Sequence, residues 1–136
     1  MYNVKLQGGN IMQMTIKDFC ILLIATFKLN GISSFDINRI PSEIGIFSNN
    51  KKTNMLFDKL SVGEFNEVIG MKQYLWGMLL SGYNYFKNIG TKWEIIIDEK
   101  IAEQIINRYS IENQKMISFL VEEYKNNKCQ NIKKKI

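Results

Sequence analysis

Apolar residues set the rhythm of the chain from Ile16 onward. Ile16, Phe19, Cys20, Leu22, Leu23, Ile24 and Phe27 recur at helical spacing and leave almost no polar face, which predicts a helix lying centrally in the core. Thr15 followed by Asp18 reads as a variant capping box opening that helix, and Gly31 is placed to close it near Asn30 in the left-handed conformation. Ser34 reads as the cap of a second, short helix from Phe35; Pro41 breaks it, with residues 42–47 forming a further turn or short helix.

Residues 48–54, S-N-N-K-K-T-N, are the clearest loop, and residues 55–60 have room for one or two helical turns. From Glu64 the apolar positions Phe65, Val68, Ile69, Leu75, Trp76, Leu79 and Leu80 predict a longer helix that stops at Gly82. Gly70 and Gly77 fall inside it, each destabilising it by about 1 kcal/mol relative to alanine, a penalty that makes sense where another element must come close. Residues 83–87 and 92–97 are aromatic and β-branched and flank Asn88, Ile89, Gly90 and Thr91, which predicts a two-stranded ribbon. Asp98 caps a helix with the stripe Ile101, Ala102, Ile105, Ile106 and Tyr109, and Ser110 begins another with Met116, Ile117, Leu120, Val121 and Tyr124.

The expected fold class is therefore mainly α with one small β-hairpin, an α+β domain of five to six helices. Its expected organisation is a flexible leader over residues 1–14, one globular domain over 15–125, and a basic, disordered tail over 126–136. The order helix, helix, longer helix, ribbon resembles a winged helix, in which the third helix would enter the major groove and the ribbon would touch the backbone.

Composition changes this picture in one respect: the chain contains no histidine. That removes the commonest general base, the commonest metal ligand and the usual partner of a serine or cysteine nucleophile. Cys20 sits in an apolar helical pattern and Cys129 in a polar stretch, so free thiols and a cytoplasmic location are expected. The apolar run over residues 19–27 is too short to span a bilayer, which needs about 20 residues. The net charge of +5 is concentrated in residues 1–60 and 111–136, while 61–110 is close to neutral.

Candidate chemistry is sparse. Asp98-Glu99-Lys100 after a strand has the carboxylate and lysine spacing of metal-dependent nucleases, where the carboxylates hold Mg²⁺ and the lysine steadies developing negative charge. It would need an upstream acid, for which Asp58, Glu64 and Glu67 are the candidates, and Asp98 as a helix cap accounts for the same residues. Gly8-Gly9 lacks the lysine and hydroxyl of a phosphate loop, and Ser33 and Ser34 have no base. No catalytic, cofactor or metal residue is assigned, and the chain is not expected to be an enzyme.

The expected function is a non-enzymatic protein-interaction or regulatory module of the small antitoxin, inhibitor or adaptor type. Ile44, Ile46, Phe47, Met55, Leu56 and Phe57 flank the polar loop, and Phe47, Met55 and Phe57 are the candidate partner-binding residues. The alternative is nucleic-acid binding through the ribbon and the basic ends. Tyr83, Tyr85, Phe86 and Trp93 would stack on bases, Lys87 and Lys92 would meet phosphates, and Lys133, Lys134 and Lys135 would add affinity for a polyanion; more often such aromatics pack a hairpin onto helices while the lysines stay in water.

Overall fold

The structure, a computed structural model, describes residues 15–45, 68–80 and 85–134, with side chains through residue 127. Helix α1 (Ile16–Leu29) forms as its pattern requires. Thr15 Oγ1 accepts a hydrogen bond from the Asp18 N–H at 3.0 Å and donates to the Asp18 carboxylate. At the far end Gly31 takes φ 77°, Ile32 N–H reaches back to the Phe27 carbonyl at 3.0 Å, and Gly31 N–H to that of Lys28 at 3.3 Å. This pair of bonds is a Schellman closure, and it places Ile32 against the core. Phe19, Cys20, Leu22, Leu23, Ile24, Ala25 and Phe27 are all fully buried, because α1 packs against the rest of the helical framework on nearly every side.

Residues 34–36 depart from expectation. Instead of capping a helix, Ser34–Asp36 form strand β1, with Phe35 buried between half-buried neighbours. The physical reason lies far along the chain: strands β2 (Phe86–Ile89) and β3 (Lys92–Ile95) leave one edge of β3 open, and β1 pairs there antiparallel. Ile37 N–H to Thr91 carbonyl and Ile95 N–H to Ser33 carbonyl extend the ladder to 3.0 and 2.8 Å bonds. The ribbon is thus a three-stranded antiparallel sheet of order β1-β3-β2. The hairpin loop is Gly90-Thr91, with Gly90 at φ 65°, and Asn88 and Ile89 belong to the strand, not the turn.

Asp36 accepts the Asn38 N–H at 2.8 Å and turns the chain into helix α2 (Ile40–Gly45). Pro41 sits in its first turn, where no backbone donor is missed, so it starts this helix instead of breaking one. Helix α3 (Met71–Leu80) is shorter than the spacing from Glu64 predicts. Gly70 adopts φ 85° and forms the entry turn, preceded by Val68, whose N–H bonds the Pro41 carbonyl at 3.1 Å. The expected loop over 48–54, the expected turns over 55–60, and the leader lie outside the described residues.

Helix α4 (Glu99–Ile106) is capped by Asp98, whose carboxylate accepts the Ile101 N–H at 2.8 Å. Ser110 Oγ accepts the Asn113 N–H at 3.1 Å at the start of helix α5 (Ile111–Lys134). That helix continues past residue 125 to Lys134, into the stretch expected to be a disordered tail. The segment holds no glycine or proline, so each added residue gains a backbone bond at low cost. The architecture among the described residues is five helices and one small sheet, a compact α+β domain. None of these helices is long and apolar enough to cross a membrane.

Two tyrosines tie the late helices to early ones. Tyr109 donates to Asp18 at 3.0 Å, and Tyr124 donates to Glu43 at 3.4 Å while stacking on Phe27 at 5.2 Å. Burial, and then the neighbouring carboxylates, push both hydroxyls above their usual pKa. A raised folded pKa means that the folded state keeps a proton the unfolded chain releases. The associated stability is fully present below about pH 10 and is lost as pH rises through the folded values. Burial also pushes the Cys20 thiol up to about 12, which adds a loss of the same sign. Denaturation midpoints should therefore fall between about pH 9 and pH 12, and less steeply for Tyr109→Phe/Tyr124→Phe. An identical fall in that double variant would remove the tyrosines from the account.

Candidate interaction surface

Helix α3 uses Met71, Leu75 and Met78 for the core, spaced at i, i+4 and i+7. The same geometry turns Lys72, Gln73, Trp76, Gly77 and Leu80 to the opposite side, where all five are exposed. Leu80 is 76% exposed and Trp76 38%, with Tyr74 at 43% on the flank and Ile69 at 55% just before the helix. Four of the large exposed apolar side chains thus fall within twelve residues of sequence, on or beside one short helix.

Trp76 is held from behind. Its ring stands edge-on to Trp93, with centroids 4.9 Å apart and planes at 90°. Trp93 is wholly buried among Phe35 and Phe86, at centroid distances of 6.1 and 5.4 Å. This aromatic cluster fastens the sheet to the helices. At the other end of α3, Lys72 Nζ donates to Asn38 Oδ1 at 2.7 Å beside a cleft of about 380 Å³ lined by Asn38, Ser42, Ile69, Gly70 and Gln73.

The ribbon residues read as a stacking platform are arranged differently. Trp93 is 0% exposed and Phe86 is buried, so neither offers a face to a base, and Tyr85 is half-buried against the core. On the inner face of the sheet Phe35, Phe86 and Trp93 pack on one another, with Phe35 reaching Phe27 of α1 and Trp93 reaching Trp76 of α3. Lys87 and Lys92 do reach solvent, but Lys87 lies directly across from Glu94 and Lys92 from Asp36, so each cation faces a carboxylate on the neighbouring strand. Lys133 and Lys134 close α5, while Tyr83 and Lys135 lie outside the described residues. So do Phe47, Met55 and Phe57, whereas Ile44 is fully buried.

The Asp98 carboxylate is engaged as the cap of α4, and the acids nominated to join it, Asp58, Glu64 and Glu67, lie outside the described residues. No group of three or more His, Cys, Asp or Glu placed to hold a metal occurs among the described residues. Asp98→Ala is expected to lower stability by about 1 kcal/mol through loss of the cap. Urea unfolding measures that. Magnesium-dependent nuclease activity of the intact protein, abolished by the same change, would overturn the reading of Asp98 as a cap alone.

Spacing alone predicts the helix through Trp76 and Leu80 but not which of its faces is buried. Helix α3 is apolar nearly all round, so period does not select a face; the available signal was Met71 and Met78 completing a stripe with Leu75. The chain matches no protein-family model, no curated protein and no solved structure.

Proposed function

We propose that the chain is a non-enzymatic protein-interaction module of the inhibitor, antitoxin or adaptor type, acting in the cytoplasm and docking its partner on the solvent face of α3. The observation that carries this reading is the exposure of Trp76 and Leu80, with Ile69 and Tyr74 beside them, on one helix. Apolar side chains gathered in one place gain far more from a partner than the same residues scattered, because their shared water is released together. Trp76 also has the aromatic character that dominates interface energetics, and its packing on Trp93 limits the entropy it would lose on binding.

One observation favours a second reading. The elements follow one another as α1-β1-α2-α3-β2-β3 with sheet order β1-β3-β2, an arrangement that resembles a winged helix and would present α3 and the hairpin to nucleic acid. Against it stand the apolar α3 face and the carboxylates opposite Lys87 and Lys92.

An affinity capture from native lysate with the full chain, with and without nuclease, separates the two. Near-stoichiometric recovery of one protein after nuclease supports the module. Short duplex DNA bound tightly at about 50 mM salt and released by about 200 mM would replace it with the second reading, because phosphate contacts weaken steeply with ionic strength.

A further inference from the structure

We propose that residues 2–7 of the chain itself form a fourth strand on the outer edge of β2, antiparallel to it and with Val4 opposite Phe86. The hydrogen bonding of the sheet defines what that edge offers. The Tyr85 carbonyl accepts the Ile96 N–H at 2.8 Å, and from that bond the antiparallel register alternates. Tyr85, Lys87 and Ile89 turn their backbone groups to β3, while those of Phe86 and Asn88 point off the sheet, where they have no partner among the described residues. Phe86 is only 6% exposed, so its N–H and carbonyl need a partner other than bulk water. The opposite edge offers less. Of the residues whose backbone faces outward from β1, Ser34 and Asp36, the second already accepts the Arg39 N–H at 3.1 Å as the chain turns into α2.

An open edge accepts an extended segment, and one stretch of this chain fits. Residues 2–7, Y-N-V-K-L-Q, alternate strictly between apolar and polar and run into Gly8-Gly9. No other six consecutive residues of 1–14, 46–67 or 81–84 alternate in this way. Residues 81–84 lead straight into β2 and are too few to double back along it. Residues 46–67 leave and return beside α2, where the Val68 N–H bonds the Pro41 carbonyl at 3.1 Å.

Alternation also selects the register. With Val4 opposite Phe86, Tyr2, Val4 and Leu6 share the inward face of Phe86 and Trp93, and Asn3, Lys5 and Gln7 share the outward face of Lys87 and Glu94. A slip of one residue would turn Asn3 and Lys5 inward. A slip of two, placing Leu6 opposite Phe86, would set Lys5 directly against Lys87, whereas the proposed register sets Asn3 there.

The segment starts from the right place. The Tyr109 hydroxyl bonds Asp18 in the first turn of α1 at 3.0 Å, and Tyr85, just before β2, lies within electrostatic reach of the same hydroxyl. Helix α1 and strand β2 therefore begin at one end of the molecule, and residues 8–14 can span up to about 23 Å between them. A chain leaving Thr15 by that route passes the start of β2 first, which makes residues 2–7 antiparallel to it. Tethering holds the strand at an effective concentration on the order of millimolar, so it closes the edge against strands of other chains.

Hydrogen exchange of single amides in the full chain, followed by NMR, tests this. Val4→Pro removes the N–H that the Phe86 carbonyl would accept and bars the segment from the sheet, whereas Val4→Thr preserves both. The Asn88 amide is expected to exchange at least about a hundredfold more slowly in the parent and in Val4→Thr than in Val4→Pro, while Lys87 and Ile89, bonded to β3, keep their protection. Paired cysteines in a Cys129→Ser background read the register. Asn3→Cys/Lys87→Cys is expected to close an intramolecular disulfide at least about tenfold faster than Lys5→Cys/Lys87→Cys, because only the first pair stands directly opposite. An unprotected Asn88 amide in the parent, exchange unmoved by Val4→Pro, equal oxidation of the two pairs, or disulfide-linked dimers would each overturn the proposal.

Discussion

Trp93→Ala is expected to cost about 3–5 kcal/mol, a large share of the stability of a domain this size. Trp93 is fully buried at the junction of β1, β2, β3 and α3, where it meets Phe35, Phe86 and Trp76. Truncation removes the largest side chain of that cluster and leaves a cavity that three neighbouring rings, each held on a different element, cannot collapse to fill. Trp93→Phe should behave differently. It surrenders volume, but it also removes the indole Nε1–H, a buried donor without a hydrogen-bond partner among the described residues. The loss of packing and the relief of that desolvated group have opposite signs, so the phenylalanine variant should lose less than about 2 kcal/mol. Urea midpoints of the two variants measure the difference. Equal destabilisation by Ala and Phe would mean that the indole nitrogen is bonded after all.

Leu80→Glu should leave stability within about 0.5 kcal/mol of the parent and yet weaken partner binding by about 2 kcal/mol or more. The two effects separate because Leu80, 76% exposed, contributes little to the chain's own core while standing at the centre of the proposed docking face. A glutamate there keeps the helix, loses the apolar anchor and places a charge that an apolar contact would have to desolvate. Calorimetry of the variant with the captured partner reads the affinity, and thermal unfolding reads the fold. Undiminished binding would move the docking surface away from α3, whereas a large drop in Tm would show that Leu80 belongs to the core.

Those two positions also mark what was legible in the chain. Helices α1, α4 and α5 carry their own signals: Thr15, Asp98 and Ser110 at the starts, Gly31 at one end, and apolar residues at helical spacing between. The hairpin likewise announces itself through Gly90 between runs of strand-forming residues. Strand β1 has no such local signature. Ser34, Phe35 and Asp36 become a strand only because β3, about sixty residues away, offers an edge, and no window along the sequence contains that fact. The continuation of α5 was hidden for a related reason: its last turns have no apolar stripe of their own, and they extend a helix already nucleated by buried residues upstream. For Trp93, set among lysines, the sequence leaves base stacking open beside the packing of the hairpin onto helices, and the sheet's inward alternation decides for packing. The exposure of Trp76 and Leu80 has no local signature either, since α3 offers apolar residues on nearly every side and tertiary packing chose among them.

The edge-on pair of Trp76 and Trp93 contains both of the tryptophans in the chain. At 4.9 Å the two indoles are close enough to exchange excitation energy, with a strength set by the angle between their transition dipoles. One ring is sealed in the interior and the other reaches the surface, which makes the pair an optical junction between the two. Native emission and the aromatic circular-dichroism band should change both when the interior loosens and when something settles on the exterior. Mutual orientation dominates the dichroic band, whereas solvent around the outer ring dominates the emission wavelength. The unlabelled protein therefore carries a two-channel sensor in which unfolding and occupancy leave different spectral marks.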